Sequence, residues 1–158
     1  MAKRLDRPGT SAPSPGQVAG AVLEITLLVT RLVTPELRRR GPKQLSLSHI
    51  RALGFLDATR DADLSAVADY VGLTLPSTST LVDGLARRGL VVRLAAPHDR
   101  RRLRLRLTRA GNGALRTAVA AAQAVLDARF AELSPSERAL VARAMARLRP
   151  FLIRGKGP

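Results

Sequence analysis

At 158 residues with a formal net charge of +15, from 27 Lys and Arg against 12 Asp and Glu, the chain suits one domain or one protomer of a small oligomer with a polyanionic partner. The absence of cysteine excludes disulfides, thiolate metal sites and thiol redox sensing, and the two histidines stand apart with no GxxxxGK phosphate loop, so no metal, cofactor or enzymatic chemistry is expected. Hydrophobic residues, 46% of the chain, suffice for a core, yet Ala, Arg and Asp interrupt each apolar run, so a membrane partner, a span and a signal peptide are not expected and the cytoplasm is the default location.

Residues 1–15, MAKRLDRPGTSAPSP, are polar, Pro-rich and aperiodic, and read as a disordered basic arm. From Gly16 a helical pattern begins, with Val18, Val22, Ile25, Leu28, Val29 and Leu32 at threes and fours. Thr34, Pro35 and Glu36 read as a break and the cap of a short continuation to Arg40, ended by Gly41 and Pro42. This helix is apolar enough to need a partner, so 16–45 is expected to be a dimerisation helix and its connector. Ser46 or Ser48 caps the next helix, which should bury Ile50, Leu53, Phe55 and Leu56 and run to about Ala58. Residues 59–63 connect it to a helix over Leu64 to Val71, capped by Asp63 and closed by Gly72 at a sharp turn.

A second helix, about 75–88, follows with Thr74 as its cap, Pro76 in its first turn and Gly89 just past its end. Thr78, Leu81, Val82 and Leu85 form its inward stripe, leaving Ser77, Thr80, Asp83, Gly84 and Arg87 outward. That outer face is small and hydrogen-bonding, suited to close approach in a major groove. Next come an apolar run, Leu90 to Leu94, a turn-forming tip, Ala95 to Arg101, and a strand over 102–107 that alternates Arg with Leu. Between positions 87 and 106 eight arginines face one acid, Asp99, which concentrates the positive charge beside the helix-turn-helix. Thr108 caps a long Ala-rich helix expected to reach about Leu133, and Ser134, Pro135 and Glu137 begin a last helix with a capping box.

The residues Leu85, Arg87, Arg88, Gly89 and Leu90, then Pro97, Asp99, Arg100 and Arg101, then Leu107, Thr108 and Gly111, resemble the winged helix-turn-helix of the MarR family of bacterial transcription regulators. The fold is therefore expected to be mainly α, a winged helix-turn-helix over 46–109 with a small β hairpin wing, flanked by dimerisation helices at the N-terminus and over 110–158. The resemblance implies a homodimer on palindromic double-stranded DNA, often released by a small molecule. It also implies an effector pocket near His49 and Arg51, where an anionic or aromatic ligand would pair. Thr80 departs from the family, which commonly places a basic residue there, and the wing holds more arginines than is usual.

Specific roles follow from these placements. Ser77, Thr78, Ser79 and Thr80, with Asp83 and Arg87, are expected to position the recognition helix and touch base edges. Arg100 and Arg101 suit a narrow minor groove, with Asp99 orienting an arginine by an ion pair. Arg88, Arg93, Arg102, Arg104 and Arg106 are expected to bind phosphates. The preferred function is a dimeric, operator-specific regulator, most simply a repressor. The alternative is a nucleoid-type protein that binds DNA without sequence preference, and a winged helix used for protein contacts fits the charge poorly.

Overall fold

Short polar side chains set where the helices begin. In the computed structural model, which describes residues 12–40, 45–59, 61–96 and 99–153, helix α1 spans Pro15–Arg40, α2 Leu47–Ala58, α3 Leu64–Val71 and α4 Leu75–Arg87. Strands β1 (Val91–Ala96) and β2 (Asp99–Leu107) form the hairpin, and α5 (Arg109–Phe130) and α6 (Pro135–Ile153) complete the described chain. Of the arm expected over 1–15, residues 1–11 lie outside the described residues, as do residues 154–158, while Pro15 already belongs to α1.

At α2 the Ser46 hydroxyl accepts the His49 N–H at 3.3 Å while the Ser46 N–H donates to His49 Nδ1 at 3.1 Å. The imidazole thus takes the place usually held by Glu or Gln in a capping box. Asp63 accepts the Ala66 N–H at 2.8 Å at the start of α3, and Thr74 accepts the Ser77 N–H at the start of α4. Gly72 ends α3 with φ 75° and Gly89 follows α4 with φ 70°, a left-handed conformation that residues with a Cβ adopt at a cost. Ser134 and Glu137 make the expected reciprocal box at α6, and the Ser134 hydroxyl and N–H hold the Glu137 carboxyl below its ordinary range.

The chain divides into two compact units, Met1–Leu32 and Val33–Pro158. In the first, Leu23, Ile25, Leu27 and Leu28 of α1 are all exposed, Leu27 to 71%. Two expectations for α1 are corrected. The anticipated break at Thr34 and Pro35 does not occur, since the helix runs through Pro35 to Arg40; burial of Val33 and Leu37 in the second unit accompanies that continuity, against a proline that removes one backbone hydrogen bond. The segment Pro15–Leu37 is also long and apolar enough to cross a membrane by length and composition, since the few charges in it leave its mean hydropathy high.

The core of the second unit joins α2, α3, α4 and the hairpin. Leu45, Leu53, Val67, Val82, Leu85 and Leu90 are buried at its centre, with Leu56, Val71, Leu105 and Leu115 around them. Each such side chain contributes about 1.5–3 kcal/mol of burial. Phe55, expected to be buried, is only partly so and stacks on Tyr70 at 4.7 Å between ring centroids. The hairpin is antiparallel with Val91 opposite Leu107 and Arg93 opposite Leu105. Its second strand is also bridged by Ala62 of the α2–α3 connector, with the Leu105 N–H donating to the Ala62 carbonyl at 2.7 Å. The wing is thereby fastened to the helix-turn-helix by backbone as well as by side chains.

The junction between wing and α5 is tight. Thr108 Oγ1 donates to the carbonyl oxygens of Gly89 and Leu90 at 2.7 and 3.1 Å and accepts the Gly111 N–H at 2.9 Å. A Cβ at Gly111 would meet the Leu90 carbonyl oxygen at 2.1 Å. Only glycine admits that approach.

Candidate nucleic-acid interface

The buried stripe of α4 consists of Thr78, Val82 and Leu85, with Leu81 partly buried beside them. By helical spacing the opposite side carries Pro76, Thr80, Asp83 and Arg87, of which Pro76, Thr80 and Arg87 are exposed. Ser77 is exposed near the N-terminus and Ser79 is half-buried. Thr78 requires a correction. It is 0% exposed and its hydroxyl donates to the Thr74 carbonyl at 2.9 Å, so it belongs to the core and cannot reach DNA.

Two expected contacts prove to have partners inside the chain. Asp83, anticipated at a base edge, pairs with Arg93 of β1, anticipated at a phosphate. This pair ties the outer face of α4 to the first wing strand, although both side chains stay substantially exposed. On β2, Arg106 donates through Nε and Nη2 to Asp61 Oδ1 at 3.1 and 2.8 Å, and Arg104 Nη1 donates to the Asp61 carbonyl at 3.2 Å. Arg104 and Arg106 therefore brace the wing against the α2–α3 connector. Asp61 gives no local sign of this role, because its partners lie more than 40 residues on and its neighbours read only as a polar loop.

Arg87 is exposed at the last turn of α4, and Arg88 follows as its C-cap. The backbone of Asp99, Arg100, Arg101 and Arg102 lies on β2, while their side chains and the tip residues Pro97 and His98 lie outside the described residues. The orienting role expected for Asp99 and the groove contacts expected for the three arginines thus stand on sequence position.

His49 and Arg51 do not face one pocket. His49 is half-buried, with Nδ1 engaged by Ser46 and Nε2 toward Gly84 of α4, 4.0 Å from where a Cβ would stand. Burial first, then the Arg88 guanidinium, push its pKa below the ordinary value. Arg51 instead donates to the Tyr70 carbonyl at 2.9 Å, and its guanidinium lies 6.0 Å from the centre of the Tyr70 ring. It closes the C-terminal end of α3. A separate cleft is lined by Asp57, Asp61, Arg106, Arg109 and Asn112, where Asp57 accepts from the Asn112 amide at 2.7 Å.

A recognition helix with a small outward face, the turn at Gly72 and a two-stranded basic wing define a winged helix-turn-helix DNA-binding domain. Residues 43–102 match the sequence profile of the MarR family. The chain therefore has the winged-helix fold of the MarR family, with the sequence match lying in its winged unit, and that likeness supports a DNA-binding transcription regulator. Among solved structures, RV1404 from Mycobacterium tuberculosis is similar at 20% identity and TM-score 0.77, covering 94% of this chain and 100% of that one. Wild-type MarR from E. coli, in its apo form, matches at 16% identity and TM-score 0.71, with 87% and 98% covered. These two likenesses carry the fold. The transcriptional repressor CouR, bound to a 23-mer DNA duplex, matches at 26% identity and TM-score 0.64, with 88% and 99% covered. No curated protein matches the sequence.

Proposed function

We propose that the chain is a homodimeric, sequence-specific transcription repressor that binds an inverted repeat in double-stranded DNA, acts in the cytoplasm and is released by a small anionic or aromatic effector. The observation that carries this reading is the pairing of two surfaces. Helix α4 offers exposed Ser77, Thr80 and Arg87 beside a wing whose strand carries Arg100, Arg101 and Arg102. The small face allows close approach to base edges, and the arginines supply attraction to phosphate. MepR bound to an oligodeoxyribonucleotide and CouR bound to a duplex support DNA as the ligand by likeness.

Dimerisation is supported by apolar surface that the described protomer leaves open. On α6, Leu140, Val141, Met145, Phe151 and Leu152 are exposed, Phe151 to 76%, and α1 adds Leu23, Ile25, Leu27 and Leu28. Apolar area of this extent on a basic protein calls for a partner, and a second copy is the simplest. Two-fold symmetry would then place the recognition helices about 34–36 Å apart, one turn of B-DNA.

The test is a selection of genomic fragments at about 150 mM salt, a concentration that suppresses weak phosphate binding. Enrichment of an inverted repeat with half-sites one turn apart is expected. Salt-sensitive binding with no enriched sequence would establish instead the nucleoid-type alternative, which the abundance of arginine favours.

A further inference from the structure

The outer surface of α4 is poorer in hydrogen-bonding groups than its sequence suggests. Pro76 and Thr80 stand one turn apart on the outward stripe, and both are exposed. Pro76 has no N–H, and the Thr80 hydroxyl is turned back onto the helix, donating to the Pro76 carbonyl at 3.2 Å. What Thr80 leaves outward is its methyl group. One turn further on, Asp83 is held by Arg93. Beside the strip, Leu75 is 49% exposed and Leu73 is exposed as well, while Thr74 donates its hydroxyl hydrogen to Ser77 Oγ at 3.0 Å.

We propose that the strip formed by Pro76 and Thr80 reads the C5-methyl group of thymine, an assignment that rests on the placement of α4 in a major groove given under Proposed function. Reading guanine in that groove calls for Arg or Lys, reading adenine calls for Asn or Gln, and reading cytosine calls for Asp or Glu, of which the helix has only Asp83, held by Arg93. Residues 75–87 contain no Lys, Asn or Gln, and their one Arg, Arg87, stands at the far end. The ring of Pro76 and the methyl of Thr80 match the remaining major-groove feature, a methyl group projecting from a base edge. Ser77 retains a hydroxyl hydrogen to donate, but a hydroxyl serves phosphate and either kind of base acceptor and discriminates little. The specificity of this helix is thus assigned to apolar contact, with the arginines supplying affinity.

The full-length protein is offered random-sequence duplexes to define its preferred repeat, and that repeat is then synthesised with thymine or with uracil at each thymine position in turn. Uracil preserves every hydrogen bond and removes only the methyl group. Binding is expected to weaken about fourfold for each buried methyl lost, and about fifteenfold when both half-sites lose one. The T80S variant, which keeps the hydroxyl and drops the methyl, is expected to bring the thymine-to-uracil ratio toward one, as is P76A at its own position. T80V, which keeps a methyl and gives up the hydroxyl, is expected to hold that ratio.

Equal affinity for thymine and uracil duplexes with a repeat still enriched would overturn the methyl assignment and leave the regulator reading standing. A normal ratio in both T80S and P76A would overturn the choice of residues. Enrichment of no repeat at all would overturn the assignment together with the function it rests on.

Discussion

Leucine is treated in two opposite ways along this chain. In the winged unit Leu45, Leu53, Leu85 and Leu90 are buried within one protomer, while Leu27 and Leu28 of α1 and Leu140 and Leu152 of α6 face outward. The side chain is the same, and Leu53 and Leu85 are helical as the four exposed leucines are, so the difference lies in what each segment can reach. Helices α2, α3 and α4 close on one another and on the hairpin, so the winged unit carries its own core. Helix α6 leaves its leucines open, and the proposed function gives DNA reading to the self-sufficient winged unit and assembly to open apolar surface of this kind.

The strongest way to break that contrast is to charge the open surface. In the proposed symmetric interface, replacing Leu140 and Met145 by Glu would put four carboxylates in place of four apolar side chains that the dimer would bury. At about 1.5–3 kcal/mol each, dissociation of the proposed dimer should rise by at least on the order of ten-thousandfold. Sedimentation equilibrium is expected to find monomer at micromolar concentration, while hydrogen exchange keeps the winged unit protected. An unchanged dimer would mean that α6 does not form the interface.

The closed region should fail differently, through its own packing. In Gly111→Ala the new methyl would overlap the Leu90 carbonyl oxygen and press on Leu107 Cδ1, 2.7 Å away, and both belong to the wing junction. Backbone cannot retreat as a flexible side chain would, so a loss of about 3 kcal/mol in urea unfolding is expected, at the upper end for overpacking. A loss below about 1 kcal/mol would show that α5 and the wing can separate without harm.

The arginines sharpen the contrast within the winged unit. Arg87 is exposed on α4, whereas Arg106 is bound to Asp61. Arg87→Ala should lower the slope of log K against log salt by about 1 per protomer, or about 2 for the dimer. Arg106→Ala should leave the slope alone and cost less than about 1 kcal/mol of stability, the usual worth of an exposed ion pair. Equal slopes for the two variants would contradict the division of arginines into binding and bracing groups.

That division also marks where sequence reasoning reached its limit. Thr74, Asp63, Ser134, Gly72 and Gly89 were legible because caps and left-handed turns depend on neighbours three or four residues away. The alternation in 102–107 likewise places Leu105 inward without knowledge of the rest of the fold. The partners of Arg93, Arg104 and Arg106 could not be read in the same way, because an exposed arginine on a strand looks identical whether it awaits a phosphate or holds Asp61. Thr78 shows the opposite failure. Its spacing put it on the inward stripe, but the run of hydroxyl residues around it drew it into the DNA-binding set, and burial with a back-bonded hydroxyl decides for the spacing. Pro35 yields to tertiary structure, since no local pattern announces that Val33 and Leu37 will be buried on either side of it.

The smallest expected effect concerns His49, where the capping of α2 meets the recognition helix. Nδ1 accepts the Ser46 N–H, so a second proton entering at Nδ1 would displace that N–H and leave the ring only the Ser46 hydroxyl, 2.7 Å away, to donate to. Burial and the nearby Arg88 charge act in the same direction, lowering the pKa in the folded protein. Since the unfolded chain then binds more protons than the folded one, this residue's stabilising contribution is complete above its ordinary pKa of about 6.5 and is lost as pH falls through and below it. His49→Gln is the informative variant, because a glutamine carbonyl can accept the same Ser46 N–H without titrating. Between pH 7.5 and 5.5, about a unit either side of the ordinary histidine value, the stability of the native protein should fall more steeply than that of the variant. Parallel curves would mean that the imidazole is protonated as easily in the fold as outside it, and that its place beside Gly84 and Arg88 has no bearing on the acid sensitivity of the winged unit.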